Sequence, residues 1–391
     1  MLLAGDVGGT KTLLGLYGRA PERPKPLAAR EFQTLAYPSL TAMVSAFLKE
    51  HKAERQIEAV SVGVAGVVHR DIARLTNVPW VVDAAQLRHH LGIDGVTLLN
   101  DLQAMAYSVT ALESDELAVL QEGEANPDGN AAVIAAGTGL GEALLHNVDG
   151  QFIPSPSEGG HADFAPRTAR EIELLQDLTR MYGRAQYEIV ISGPGLANLF
   201  RFTHKDPCPI ILDGSDPALL PAAISASALG RKCAACVEAL DLFVGVYGAE
   251  AGNLALRSVA TAGVYVGGGI APKILPALEK GPFIEAFRAK QPMADLLATI
   301  PVLRGGVATS GDYERYFEVD GKRHCHILDP RTGWPATHWQ SVSVVAPACV
   351  AAGALTTIAM LMGPEATAFL AAQGVPYLAI DESGAMLRGT G

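Results

Sequence analysis

At 391 residues the chain is long enough for two or three domains with full cores. Its composition, 49% apolar and 18% charged with glycine and proline spread throughout, excludes a disordered polymer. A formal net charge of −11 excludes a duplex-binding surface, which needs clustered Lys and Arg, so no nucleic-acid partner is expected. Five scattered cysteines, and a start without a basic segment leading into a short apolar one, predict a reducing, cytoplasmic setting.

The first segments, "LLAGDVG" and "LLGLYG", pair as a hairpin through their glycines. A phosphate loop of the G-x-x-x-x-G-K-[ST] type is absent, the segment after the turn reads as a strand rather than a helix, and G-x-G-x-x-G is missing here. There remains a turn whose Gly8, Gly9 and Thr10 amides can face an anion with no Cβ in the way, beside Asp6, which can hold a hydrated magnesium ion. Such a turn is also an ordinary hairpin tip. "LTAMVSAFLKEH" then predicts an amphipathic helix and "EAVSVGVAGVV" a buried strand. "DAAQLRHHLG" has an Asp placed as N-cap and a terminal Gly, and "GVTLLND" is a further strand. Asn100 and Asp101 stand at its end, either as a helix cap or, beside the other motifs, as functional groups.

A second α/β region begins after about Tyr107. "AAVIAAGTGLGEALL" predicts another hairpin, with Gly137, Thr138 and Gly139 at its tip. The stretch 147–167 reads as loop-rich, and within it Glu158 and His161 flank two glycines, a tight path that can aim both side chains at one polyol. Helix is predicted over 169–182, and Glu188 precedes the helix start "SGPG". Cys233 and Cys236 form a C-x-x-C with no second ligand pair, in "RKCAACVEALDLF", whose spacing predicts two helix residues rather than a metal site. "GVYVGGGIAP" ends a strand in Gly267, Gly268 and Gly269, where adenine and ribose could lie against bare backbone. No internal repeat is visible, although the two glycine hairpins echo each other. Between Trp334 and Gly363 no residue is charged apart from a protonated His338, yet Pro347 divides the run. "SVSVV" reads as a strand and "CVAAGALTTIAMLM" as a buried helix, so no membrane span is expected.

The three glycine motifs, in this order and at these separations, resemble the phosphate-1, phosphate-2 and adenosine motifs of the sugar kinase, actin and Hsp70 superfamily. With "DVGGTK", "LTNVPW", "LLNDL", "GTGLG", "EGGHADFAP", "SGPGL" and "GGGIAPK", the chain from about residue 2 to 302 resembles the bacterial, ATP-dependent glucokinases. The related repressor and open-reading-frame kinases usually carry a cysteine-rich zinc motif after the sugar-binding histidine, whereas no cysteine occurs after His161 until Cys208. The resemblance implies an α/β, two-domain, actin-like (ribonuclease H-like) fold with ATP in a cleft between a small domain over 1–107 and a large one over 108–303. It implies Asp101 as the base for the sugar's 6-hydroxyl, and Asn100, Glu158, His161 and Glu188 as ligands of the other hydroxyls. Asp6, Gly8, Gly9, Thr10, Lys11, Gly137, Thr138, Gly139 and Gly267 to Gly269 would hold ATP, with Mg2+ at Asp6 through water. A homodimer is common in the family, and the apolar helix "ACVEALDLFVGVYGAEAGNLAL" would serve an interface, but core packing explains it equally well.

After about residue 303 the chain departs from that family, whose usual tail is a short strand and a helix packed on the small domain. "ATSGDYERYF", "HILDPRTG" and "AAGALTTIAML" resemble the C-terminal part of the ApbE family, flavin transferases that attach FMN from FAD to a threonine. The match covers about 305 to 384, so 304–391 is expected to form an α+β, ApbE-like fragment. His326, Asp329 and Thr332 fit H-x-x-D-P-R-T-G, and Thr357 matches a metal-site threonine. Gly353 stands where fuller members have an acidic magnesium ligand, and the family's flavin-binding N-terminal portion is missing, so FAD is not expected as a cofactor.

Overall fold

The structure, a computed structural model, describes residues 1–9, 11–19, 24–75, 78–112, 116–204, 207–208, 219–305, 307–311, 316–319, 322–325, 336–345, 349–381 and 385–390. Thr10, His326, Asp329 and Thr332 lie outside the described residues. The chain forms two compact units, Met1–Ala111 with Ile153–Pro156, and Leu112–Phe152 with Ser157–Gly391.

In the first unit a five-stranded sheet runs from Lys25–Gln33 through Lys11–Gly18, Leu2–Val7 and Ala59–Val64 to Gly95–Asn100. The expected hairpin is antiparallel, with Leu2 opposite Tyr17 and Val7 opposite Thr12. The other two pairings are parallel and end together: Val7 lies opposite Val64, and Val64 opposite Asn100. Leu40–Glu50 is the amphipathic helix read from the sequence, started by Ser39, whose Oγ accepts from the Ala42 amide at 3.2 Å. It buries Leu40, Met43, Val44, Phe47 and Leu48 in the sheet's core, each contributing roughly 1.5–3 kcal/mol. Asp83 caps Ala84–Leu91 as predicted, accepting from the Ala85 amide at 2.8 Å, and Gly92 closes that helix at φ 68°.

The second unit repeats this topology, which the sequence did not reveal as a repeat. The sheet runs Gln151–Ser157, of which Ile153–Pro156 is counted with the first unit, then Leu140–Val148, Ala131–Ala136, Gly263–Gly267, Val302–Gly305 and Leu117–Gln121. Again an antiparallel hairpin adjoins parallel neighbours: Ala131 lies opposite Leu145, and Ala135 opposite Gly267. The stretch 147–167 is less loop-rich than expected, because Gln151–Ser157 is a strand. Pro154 and Pro156 mask it in the sequence, and it tolerates them because it is an edge strand. Helix Ala234–Ser258 passes through this unit's core, burying Phe243, Val244, Val246 and Tyr247, so intrachain packing accounts for its apolar length.

Residues after 305 build their own four-stranded antiparallel sheet, ordered Val307–Gly311, Trp339–Val345, Pro376–Asp381 and Met386–Thr390. Helices Cys349–Met362 and Ala366–Ala372 contribute Ala359, Met360, Ala366 and Leu370 to a core shared with Trp339, Val342, Val344 and Ala379. This is the expected α+β arrangement, and the strand-then-helix reading of the uncharged run agrees with it. Leu355–Ala372 is long and apolar enough to cross a membrane by length and composition, but a 3-10 turn at Gly363–Glu365 breaks it, with Gly363 at φ 56°.

Val302–Gly305 runs through the boundary read from the sequence. It pairs in parallel with Gly263–Gly267 and antiparallel with Leu117–Gln121, and Arg304 is 1% exposed. A chain ending at Val302 is therefore expected to melt at least about 5 °C below one ending at Gly305. Thermal denaturation followed by circular dichroism checks this; equal melting temperatures would show that the strand adds nothing.

Candidate active site

In the first unit the parallel register brings three strand ends to one edge of the sheet. Gly8 donates its amide to the Lys11 carbonyl at 2.9 Å, closing the hairpin turn, and Lys11 pairs with Glu31 at 2.8 Å across the neighbouring strand. Asp6 keeps accessible surface while protein atoms crowd its carboxylate. This partial desolvation, and secondarily the negative charge of Asp101, raises its pKa above the usual carboxylate value. Two carboxylates that repel each other suit a hydrated divalent cation, which would relieve the repulsion, so Asp6 fits the magnesium role, whereas the Gly8 amide, expected to face an anion, is taken up by the Lys11 carbonyl.

Asp101 opens helix Asp101–Ser108, and its Oδ1 accepts from the Leu102 amide at 2.9 Å. Burial raises its pKa, outweighing hydrogen bonds that favour the carboxylate. Asn100 is the helix cap: its Oδ1 accepts from Leu102 and Gln103 at 3.0 and 3.3 Å, and its Nδ2 donates to the Gly66 carbonyl at 3.2 Å. The capping alternative is thus realised, and the Asn100 amide also favours the charged form of the neighbouring Asp101 carboxylate by hydrogen bonding to it. Gly63 lets this helix approach the sheet, since a Cβ there would stand 3.2 Å from that of Ala104.

In the second unit the other two glycine motifs sit at the ends of adjacent parallel strands. Gly137 donates to the Gly139 carbonyl at 2.8 Å, and Ile270 donates to the Ala136 carbonyl at 3.1 Å. Gly268 adopts φ 81°, and a Cβ on it would stand 2.3 Å from the Ala136 carbonyl oxygen. From helix Ala234–Ser258, the Tyr247 hydroxyl accepts from the Ala136 amide at 3.3 Å and lies 3.4 Å from the Gly267 carbonyl oxygen, tying both strand ends together.

Glu158, His161 and Glu188 also meet. A 3-10 turn over Gly159–His161 brings Glu158 Oε2 to 3.9 Å from His161 Nε2, and Glu188 Oε1 lies 3.9 Å from His161 Nδ1. These separations are too long for hydrogen bonds, and all three side chains keep accessible surface, so their polar atoms are open to a ligand's hydroxyls. Glu188 is anchored by its Oε2, which accepts from the Leu140 amide at 3.0 Å. The turn needs its glycines: a Cβ on Gly160 would stand 2.2 Å from the Leu140 carbonyl oxygen.

Glu142 was not among the residues singled out from the sequence. It is fully buried beneath this turn, and a Cβ on Gly159 would stand 2.1 Å from its Oε2. Burial, and secondarily Glu250, push its pKa up to about 8.

These features define a sugar kinase with an actin-like fold. The glucokinase family model matches residues 3–304, and glucokinases of Synechocystis and of a Nostoc species are each 37% identical, aligning with 77% of this chain and with 92% and 94% of their own. Among solved structures, a glucokinase from an Antarctic psychrotroph superimposes with a TM-score of 0.69 at 27% identity, covering 78% of this chain and 94% of its own. The chain belongs to the glucokinase family. The ApbE family model matches residues 254–379, beginning earlier than the motifs and overlapping the kinase match.

The unfolded chain releases the Glu142 proton near pH 4.5 and the folded chain only near about 8, so the folded state loses stability as pH rises through this window. Glu142→Gln should raise the melting temperature by several degrees at about pH 8 and by little at about pH 5. Paired melting curves at the two pH values test this; an equal shift at both would exclude Glu142 ionisation as the cause.

Proposed function

We propose that the chain transfers the γ-phosphoryl group of MgATP to the 6-hydroxyl of D-glucose, giving glucose 6-phosphate and ADP at the entry to glycolysis, in the cytoplasm. The observation that carries this is the trio Glu158, His161 and Glu188, held near one another yet too far apart to satisfy one another. Such a set accepts and donates to the vicinal hydroxyls of a sugar, and penalises an analogue that leaves it unpaired. Glucokinase family membership supports glucose as that sugar.

Asp101 takes the proton of the attacking hydroxyl, a role a carboxylate fills because that proton becomes acidic as the bond to phosphorus forms. Asn100 caps the helix that carries Asp101 and lies beside it as a ligand of the sugar. Gly8, Gly9, Thr10 and Lys11, with Gly137, Thr138 and Gly139, hold the phosphates, and Gly267 to Gly269 the adenosine. Asp6 would hold a magnesium ion through water, which would neutralise charge on the phosphates. The working parts correspond to a small domain over 1–107 and a large one over 108–303, with 304–391 as an appended ApbE-like fragment and a homodimer as the assembly. The ApbE family match motivates a second reading, FAD:protein FMN transfer by that fragment; FAD hydrolysis with magnesium, run beside glucose phosphorylation on the full chain, separates the two. A non-catalytic, sugar-binding fusion would show neither activity.

Asp101→Asn should fold normally and lose at least about a thousandfold in kcat, as expected for a removed general base. Because burial raises the Asp101 pKa, kcat/KM should fall on acidification at a pH above that of an ordinary aspartate. Near-parental kcat in the variant would overturn the assignment. Glu158→Gln should chiefly raise the glucose KM, about tenfold or more; an unchanged KM would remove it from the site.

A further inference from the structure

The C-x-x-C at Cys233 and Cys236 has partners that are distant in sequence. His204 and Cys208 lie beside it, and His Nε2 or Nδ1 and the three Sγ atoms all fall within 4.8 Å of one another. The spacing H-x3-C, then C-x2-C after 24 further residues, is a ligand pattern, visible once the histidine is counted with the cysteines. We propose that His204, Cys208, Cys233 and Cys236 form a closed, tetrahedral structural site for a zinc-class divalent cation.

The separations fit such an ion. Bonds of about 2.3 Å to sulfur and about 2.0 Å to nitrogen in a tetrahedron require edges of roughly 3.8 Å between sulfurs and roughly 3.5 Å between sulfur and nitrogen. Cys208 Sγ and Cys236 Sγ are 4.0 Å apart, and His204 Nε2 lies 3.4 and 3.8 Å from the sulfurs of Cys233 and Cys236. The imidazole is already set in the ligating tautomer. Its Nδ1 lies 2.8 Å from the Phe200 carbonyl, which can only accept, so Nδ1 carries the proton and Nε2 presents its lone pair to the thiols.

The surroundings are equally prepared. Thr203 Oγ1 donates to the Ala235 carbonyl at 2.9 Å, fastening the end of helix Gly193–Thr203 to the start of Ala234–Ser258 beside the four ligands. Cys233 is the N-cap residue of that 25-residue helix, where the dipole favours a thiolate. All three thiols are free and buried. Three thiolates and an imidazole select zinc over oxygen-seeking cations, and four protein ligands leave no open position for catalysis. The ion would clamp the end of helix Gly193–Thr203 remote from Glu188, at the head of the helix that carries Tyr247.

The test is metal analysis of untagged full-length protein, purified with a non-thiol reductant and dialysed. About one zinc per chain is expected, released in step with mercurial titration of the buried thiols. Cobalt substitution should give the intense visible bands of a tetrahedral thiolate complex, and Cys208→Ser should lower zinc below about a tenth of an equivalent. The cobalt spectrum uses the parent chain and decides the matter even if the variant misfolds. Less than about a fifth of an equivalent of zinc after zinc supplementation, a cobalt spectrum without thiolate charge transfer, or a Cys208–Cys236 disulfide persisting in reductant would each overturn the proposal. None of these readouts depends on glucose phosphorylation.

Discussion

Parallel strands that finish in register are the constraint on which the proposed chemistry depends. In the first unit Val7, Val64 and Asn100 are aligned, so the turn after Val7 and the helix that starts at Asp101 open at one edge. In the second unit the pairing of Ala135 with Gly267 does the same for the two glycine turns. Carboxyl ends of parallel strands expose backbone amides and begin crossovers, which makes them natural places to bind ligands. Where a turn folds back on its neighbour, as Gly268 does against Ala136, no side chain can be accommodated. Gly268 is a consequence of this close approach, whereas a Cβ on Gly137 or Gly269 would meet open space.

The polar groups at these edges are left incompletely satisfied. Asp6 is pressed by the charge of Asp101, and the His161 trio stands just beyond hydrogen-bonding range. Beneath the trio, Glu142 is fully buried with neither carboxylate oxygen hydrogen-bonded among the described residues. The buried Glu142 is unfavourable for the bare fold, and the large apolar core around helix Ala234–Ser258 in the same unit offsets that cost. That helix also ties the ends of two strands together through the Tyr247 hydroxyl, which meets the Ala136 amide and the Gly267 carbonyl.

Local signals were legible in the sequence, and distant ones were not. The hairpins, the Asp83 cap and the Gly92 terminus rest on contacts within a few residues, and each appears where the sequence placed it. The Glu158–His161 turn was legible because its two glycines enforce a tight path. By contrast, Pro154 and Pro156 concealed an edge strand, since their cost depends on which side is unpaired. The choice between cap and ligand at Asn100 needed the position of Gly66, and the neighbours of Cys233 needed the fold that brings in His204. Glu142 carried no signal in the sequence, because burial beneath Gly159 leaves no local mark.

The place of Val302–Gly305 inside its sheet also dictates an order of events during synthesis. Among the described residues, the buried hydrophobic cluster of the first unit ends at Leu98, so it can condense before most of the polypeptide, including Ile153–Pro156 of the same unit, has been translated. The second sheet cannot close until the ribosome has released residue 305, because Leu117–Gln121 waits for that strand as its partner. By then the appended fragment is already entering the exit tunnel. Whatever origin that fragment has, it emerges behind a kinase sheet that is complete without it.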